Sequence, residues 1–362
     1  MYKMGPMAQG FITGGLPLVG LAPPATADEL PATVRAGIEA GTGVVSMPSC
    51  PLMHGTGIWI GAMMPHIGGA NVITMKSRSF DAVEMLETVE SKKASMTVVV
   101  GDSFVKPIIR AIDEAAAKGR TYDLSSLKLM LSSGVMWTAE VKEQLLDRVE
   151  HLVLVDAMGS SEGSMGTQIT MKGLPPQTAK FSQMPTTKVF TDDDREVVPG
   201  SGEVGKVAAG GSVPFGYYKD PEKSAKTFRT INGVAYSFPG DLAMVAEDGS
   251  LILLGRGSQV INSGGEKIFP EEVEEAVKRV DGVQDCLVVG IDDEKFGQAV
   301  TAVASLAPGQ SVDEATIIAS VKNQLAGYKA PKRVVFVSAV PRAPNGKADY
   351  KTAKTMATDT LK

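Results

Sequence analysis

Histidine and cysteine are scarce in this chain, with 3 His and 2 Cys among 362 residues. Cys50 and Cys286 stand far apart, without a CxxC or Cys/His spacing. That spacing does not suggest a disulfide framework or a structural zinc site, and three His leave little material for a His-based metal centre. Positive charge is also short: the net charge is −5, so there is no basic footprint for nucleic acid. Uninterrupted apolar runs are missing as well. The stretch 44–73 is apolar overall, but Pro48, Pro51, His54, Pro65 and several glycines break it, so it is not a membrane span. The Gly-rich start lacks the apolar centre of a signal peptide. The chain therefore reads as cytoplasmic and reducing.

What is present is an ordinary apolar fraction, 43%, enough for real cores, on a length that holds two domains. Residues 1 to about 30 are Gly/Pro/Ala-rich and read as irregular. Beyond them, short apolar runs alternate with amphipathic stretches, which signals α/β layering. Helices are expected over 30–40, 80–92, 102–118, 138–149, 221–228, 270–280 and 312–325. Strands are expected near 44–47, 96–100, 127–132, 152–156, 251–254, 285–291 and 300–306, among others. Residues 172–186 read as a Pro-rich loop. Neither an internal repeat nor a heptad run is visible. The pattern resets after Arg256, so the expected division is 1–256, a large layered domain, and 257–362, a small mobile α+β domain of two helices and three or four strands.

The stretch from Gly255 to Glu272, GRGSQVINSGGEKIFPEE, organises the rest. Gly257-Ser258-Gln259 is a bend without a bulky residue, and such a bend can absorb a large backbone rotation. Gly264-Gly265 lets backbone lie against a ligand where a side chain would collide. Pro270 suits the first position of a helix, with Glu271 and Glu272 in its opening turn.

Four further stretches carry candidate chemistry. Asp156-Ala157-Met158-Gly159-Ser160-Ser161-Glu162-Gly163 follows an apolar strand, where open α/β sheets bind ligands. Glu162 can hold magnesium, Ser160 and Ser161 can donate to phosphate oxygens, and Met158 can lie on an aromatic ring; a polar loop with a capping Ser is the plain alternative. Asp241, behind Pro239-Gly240, can accept both hydroxyls of a ribose, and Arg256 can reach the same sugar or its phosphate; a turn Asp and a surface Arg would look the same. Asn345-Gly346 builds a tight turn that aims Lys347. His54, flanked by glycine, walls a pocket or sits in a core, and Gly134-Val135 can present backbone to a ligand.

In this order, PLMHGTG, SSGVMWTAEV, MGSSEG, the GE of Gly202-Glu203, the GYY ending at Tyr218, PGDL, GRGSQVINSGGEKIFPEEVE and PRAPNGK resemble the motif series of the adenylate-forming superfamily. That superfamily holds acyl-CoA synthetases, peptide-synthetase adenylation domains and firefly luciferase, and SGGEKI with PNGKADYK resemble its fatty acyl-CoA synthetase branch. The resemblance implies two half-reactions. A carboxylate attacks the ATP α-phosphate to give acyl-AMP and pyrophosphate, then the thiol of CoA takes the acyl group and AMP leaves. It assigns Lys347 to the charge on the α-phosphate, Glu162 to Mg2+ and Ser161 to a neighbouring phosphate oxygen. It further assigns Asp241 and Arg256 to the ribose, Asp156, Met158 and Gly134 to adenine, and His54 to the border of the acyl pocket. Ser258 falls at the hinge, and Gly264-Gly265 along the pantetheine tunnel.

The family's Gly/Ser/Thr-rich phosphate loop ending in Pro-Lys-Gly has no counterpart here. The resemblance therefore implies an N-terminally shortened member, lacking roughly the first third, with impaired adenylation. Met158 replaces the usual aromatic stacker. An acyl-AMP ligase or amino-acid adenylation domain, and a non-catalytic nucleotide- or acyl-binding remnant, remain open. So does homo-oligomerisation. The Met-rich stretch near 44–64 suits an apolar, fatty or steroid-like acid.

Overall fold

Parallel strands explain why so much of the chain is hydrophobic on both faces. The computed structural model describes Ile12 and residues 15–19, 21–343 and 346–361, so nearly half of the stretch expected to be irregular at the start lies outside it, and the rest includes short helical turns at Leu16–Leu18 and Ala27–Glu29. Packing divides the chain into two units. The first runs through Thr187 and adds Ala209–Tyr217 and Asn232–Ser237; the second holds Lys188–Ala208, Tyr218–Ile231 and Phe238–Lys362.

In the first unit, strands β1 (Val45–Pro48), β2 (Asn71–Val72), β3 (Met96–Val99), β4 (Leu129–Ser133) and β5 (Val153–Ser160) are parallel in the order β2-β1-β3-β4-β5. Then β6 (Gly163–Thr170) and β7 (Lys180–Gln183) follow antiparallel. Alternation along the strands feeds two cores: Val98, Met130 and Leu154 face one, Met96, Leu129 and Val155 the other. Helices α1 (Leu30–Glu39), α2 (Ala82–Lys92), α3 (Asp102–Ala117) and α4 (Ala139–Leu146) all fall where expected. Thr138 caps α4 by accepting from the Val141 amide, and its own hydroxyl donates to Asp102 of α3 at 3.0 Å.

In the second unit, helix α5 (Pro221–Thr227) is capped by Asp220. Strands β8 (Asp241–Val245) and β9 (Leu251–Arg256) form the expected hairpin, with Gly249 at φ +78° in its turn. Beyond Arg256, β10 (Ile261–Ser263) and β11 (Glu266–Ile268) make a hairpin, β12 (Val283–Asp293) and β13 (Gly297–Leu306) a long antiparallel pair, and β14 (Arg333–Phe336) runs parallel to β13. Helices α6 (Pro270–Lys278) and α7 (Glu314–Gln324) contribute Val273, Val277, Ile317 and Val321 to one core, shared with Val288 and Ala302. Helix α8 (Tyr350–Leu361) packs Ala353 and Ala357 with Leu287, Val289 and Val303 in another. The described residues of 257–362 thus enclose their own cores, with three helices and five strands where two helices and three or four strands are expected.

Two further expectations need correction. The loop read over 172–186 contains β7, and the motif 156–163 is strand rather than loop. Its β5 continues through Ser160 before a two-residue turn into β6.

Candidate active site

The C-terminal ends of β1, β4 and β5 carry the candidate residues of the first unit, which is where parallel sheets place ligands. After β1 the chain bends, and His54 is buried with its Nδ1 accepting from the Thr56 amide at 3.1 Å. That bond sets the tautomer, because the proton must then sit on Nε2. The Thr56 hydroxyl donates to the Ser133 carbonyl at 3.3 Å, so the His54 bend is tied to the end of β4. There Gly134 takes φ +90°, a conformation that favours glycine, and its backbone is exposed. Val135 packs beside Gly101, the residue after β3.

Along β5, Asp156, Ala157 and Met158 pair with Gln168, Thr167 and Gly166 of β6, and the register slips between Met158 and Gly159. Such a bulge re-aims the residues beyond it. Past the slip, Ser160 Oγ accepts from the Glu162 amide at 3.2 Å, which holds the turn. Glu162 Oε1 accepts from the Tyr217 hydroxyl at 2.6 Å. A Cβ on Gly163 would come within 2.6 Å of Ala209 Cβ, so the turn lies too close for any larger residue. Glu162 is therefore a carboxylate held on one side by a phenol, at the tip of a hairpin with Ser160 and Ser161 beside it.

Asp156 is different. It is buried, and its Oδ2 accepts from Lys142 Nζ at 3.2 Å. The same ammonium donates to Gln168 Oε1 at 2.6 Å and to the Gln177 carbonyl at 3.1 Å. Burial raises the Asp156 carboxyl to about 6, against the pull of Lys142. Met158 is likewise buried.

In the second unit, Asp241 opens β8 opposite Arg256, the last residue of β9. Their Nε–Oδ1 separation is 3.6 Å, with Asp241 the more buried. Gly240, at φ +101°, accepts from the Gly257 amide at 3.0 Å, which closes the pair from behind. Ser258 lies in a short 3-10 turn. Gly264 and Gly265 take φ +62° and +88° in the β10–β11 hairpin, and the Gly264 amide donates to Phe296 O. Lys347 is exposed at the end of a turn closed by two backbone bonds, Gly346 N to Ala343 O and Ala343 N to Lys347 O, each 2.8 Å. Pro344 and Asn345 of that turn lie outside the described residues.

Among the described residues, no three His, Cys, Asp or Glu side chains cluster to hold a metal. A single carboxylate at an open tip suits magnesium, which keeps waters and shares phosphate ligands rather than sitting in a protein cage. Sequence reasoning passed over Lys142 and gave Tyr217 no role. Lys142 was findable: it lies on the apolar face of α4 with Val141, Leu145 and Leu146, and a Lys there needs a buried partner.

The described residues include no helix long and apolar enough to cross a membrane. Comparison with known proteins completes the picture. The profile described as AMP-binding enzyme matches residues 27–218, and that of the AMP-binding enzyme C-terminal domain matches 272–347. A 3-oxocholest-4-en-26-oate–CoA ligase of Rhodococcus rhodochrous is 40% identical over 317 residues, 86% of this chain and 56% of that protein. The medium-chain acyl-CoA ligase Mig of Mycobacterium avium is 39% identical over 347 residues, 95% and 61% respectively. The chain thus spans little more than half the length of these relatives. ATP-bound MatB from Rhodopseudomonas palustris, 22% identical, superposes with a TM-score of 0.72 over 92% of this chain and 65% of its own, so the fold is shared. The match of the first profile to more than half of the sequence, in register with the second, settles the lineage: this chain belongs to the AMP-binding enzyme family.

Proposed function

We propose that the chain is the nucleotide- and thioester-handling part of an acyl-CoA synthetase acting on an apolar carboxylic acid, fatty or steroid-like. The observation that carries this reading is the β5–β6 hairpin tip. It presents Glu162, Ser160 and Ser161 at the C-terminal end of a parallel sheet, in a chain 39–40% identical to named acyl-CoA ligases. Magnesium bound at Glu162 would neutralise phosphate charge. The chain's own residues do the rest. Ser160 and Ser161 donate to phosphate oxygens, Asp241 and Arg256 hold the ribose, and Gly134, Val135, Asp156, Met158 and Gly159 border adenine. Lys347 meets the negative charge that grows on the α-phosphate as the carboxylate attacks and pyrophosphate leaves. His54 separates the acyl pocket from the phosphates. Residues 257–362 then turn at Ser258, withdrawing Lys347 and bringing Gly264-Gly265 to the pantetheine arm of CoA. We place this chemistry in the cytoplasm.

The 362 residues contain no Gly/Ser/Thr-rich phosphate loop ending in Pro-Lys-Gly. We therefore expect slow carboxylate-dependent ATP–pyrophosphate exchange from this chain, but conversion of supplied lauroyl-AMP and CoA to lauroyl-CoA. Lys347→Ala should leave that second step intact. Failure to form the thioester from supplied acyl-AMP would overturn the reading in favour of a binding remnant.

A further inference from the structure

Arg342 lies five residues before Lys347 and is engaged on two sides. Its Nε and Nη2 donate to the two carboxylate oxygens of Asp285 at 2.9 and 2.8 Å, and both side chains are only 17% exposed. Its Nη1 donates to the Gly346 carbonyl at 3.2 Å. Asp285 is itself fixed, because its Oδ1 also accepts from the Cys286 amide at 2.9 Å, and it belongs to β12, whose Leu287 and Val289 are buried. A rigid strand is thereby linked through a planar, forked cation to the peptide that directly precedes Lys347. A forked pair of this kind fixes direction as well as distance, and only Arg can grip a carboxylate with two parallel N–H groups while a third reaches elsewhere.

We propose that Arg342 is a positioning residue: the Asp285–Arg342–Gly346 clamp sets the direction in which Lys347 leaves its turn. This rests on the reading of Lys347 as the cation of the adenylation step. An exposed Lys on an unbraced loop samples many rotamers and many backbone angles; the clamp removes the second source of spread before any ligand arrives. A displacement of about 1 Å at a reacting charge is enough to cost catalysis heavily, so bracing the turn matters more here than its contribution to stability. The alternative is that the ion pair only staples β12 to the following loop.

The two accounts part at Arg342→Lys. Lysine keeps the charge and an ion pair with Asp285 but cannot fork to both oxygens and Gly346 together. The experiment measures amide hydrogen exchange at Ala343 and Gly346, melting temperature, and affinity for lauroyl-sulfamoyl-adenosine, in the full chain and in Arg342→Ala, Arg342→Lys, Asp285→Asn and Lys347→Ala. We expect Arg342→Ala to speed exchange at both amides by about tenfold, as local opening of a turn does. It should weaken the adenylate analogue about as much as Lys347→Ala does. Arg342→Lys should restore the melting temperature but neither the exchange nor the affinity. Full recovery of all three by Arg342→Lys, or wild-type exchange in Arg342→Ala, overturns the clamp. If Lys347→Ala leaves the affinity unchanged while the exchange results hold, the clamp stands as a brace and the role given to Lys347 falls.

Discussion

Two carboxylates removed from water, one in each unit, have been treated in opposite ways. Asp156 in β5 has a buried cation, Lys142, whose three N–H groups reach Asp156, Gln168 and the Gln177 carbonyl. Among the described residues, Glu271 at the start of α6 has no ion-pair partner. Its Oε1 accepts a long bond from the Arg256 amide, 3.4 Å, and its Oε2 is shielded from solvent without a hydrogen-bond partner among the described residues. Glu274 and Asp241 add repulsion. Burial raises both groups, Asp156 to about 6 and Glu271 to about 8. The difference shows in how far each is raised: Asp156, with its cation beside it, less than Glu271, which is drawn further toward the neutral acid. A place in the first turn of a helix favours a negative charge, but here that effect is too small to offset desolvation. What a motif residue does is thus set by a partner that need not belong to the motif.

The largest effect should come from removing the cation. Lys142→Met leaves Asp156 as an unpaired buried charge, and breaking a buried pair from one side costs about 3–5 kcal/mol. Urea unfolding at neutral pH should show that loss, and Asp156→Asn placed on top should recover part of it because an amide need not be ionised. A loss below about 1 kcal/mol would mean that the pair is water-accessible after all, and surface pairs are worth no more.

This pair also marks the limit of what the sequence made legible. Local signals were readable wherever one residue type has one cheap role: Thr138 as a helix cap, Pro270 at a first helical position, Gly249 in a hairpin turn. The order of the motifs gave the family. The missing parts are those where stabilisation comes from a distant partner or from small side chains. The strand pairing of β5 with β6 continues through Gly159 and Ser160, whose composition reads as loop. Helix α8 buries only Ala353 and Ala357 along its length, a face too slight to register as amphipathic. The partner of Asp156, Lys142, lies fourteen residues earlier in what looks like an ordinary helix, so the sequence marks Asp156 as a candidate ligand contact without showing the cation it pairs with. Glu271 looks like a favourable first-turn acid because nothing local shows that Gly255 comes against it.

That approach supplies the second test. Gly255 takes φ +125°, and a Cβ placed there would lie 2.1 Å from Glu271 Oε2. Gly255→Ala therefore meets both backbone strain and a carboxyl group, and we expect it to cost about 2–4 kcal/mol from the two sources together. Glu271→Ala in the same chain should return the steric part but not the backbone part. If the double variant is as unstable as Gly255→Ala alone, Glu271 is not what confines residue 255, and the contrast with Asp156 loses its geometric basis.

The smallest effect is also the most specific, because it depends on pH in a known direction. Glu271 faces Asp241 from β8, Glu274 from its own helix and Tyr350 from α8, with the Arg256 amide and its own amide as backbone donors. Glu274 is raised too, so neither acid can neutralise the other. The folded state keeps the Glu271 proton up to about 8, whereas the unfolded chain gives it up near the ordinary value of 4.5. Between those two points the folded state holds more protons, so stability falls as pH rises and levels off above the upper one. Glu271→Gln carries a permanently neutral group of the same shape and escapes this loss. Its melting temperature should match that of the parent near pH 5 and exceed it near pH 9, by an amount corresponding to about 1–2 kcal/mol once solvent relaxation is allowed for. An equal difference at both pH values would mean that the carboxyl is not held neutral in the fold, and that the two acids differ in address only.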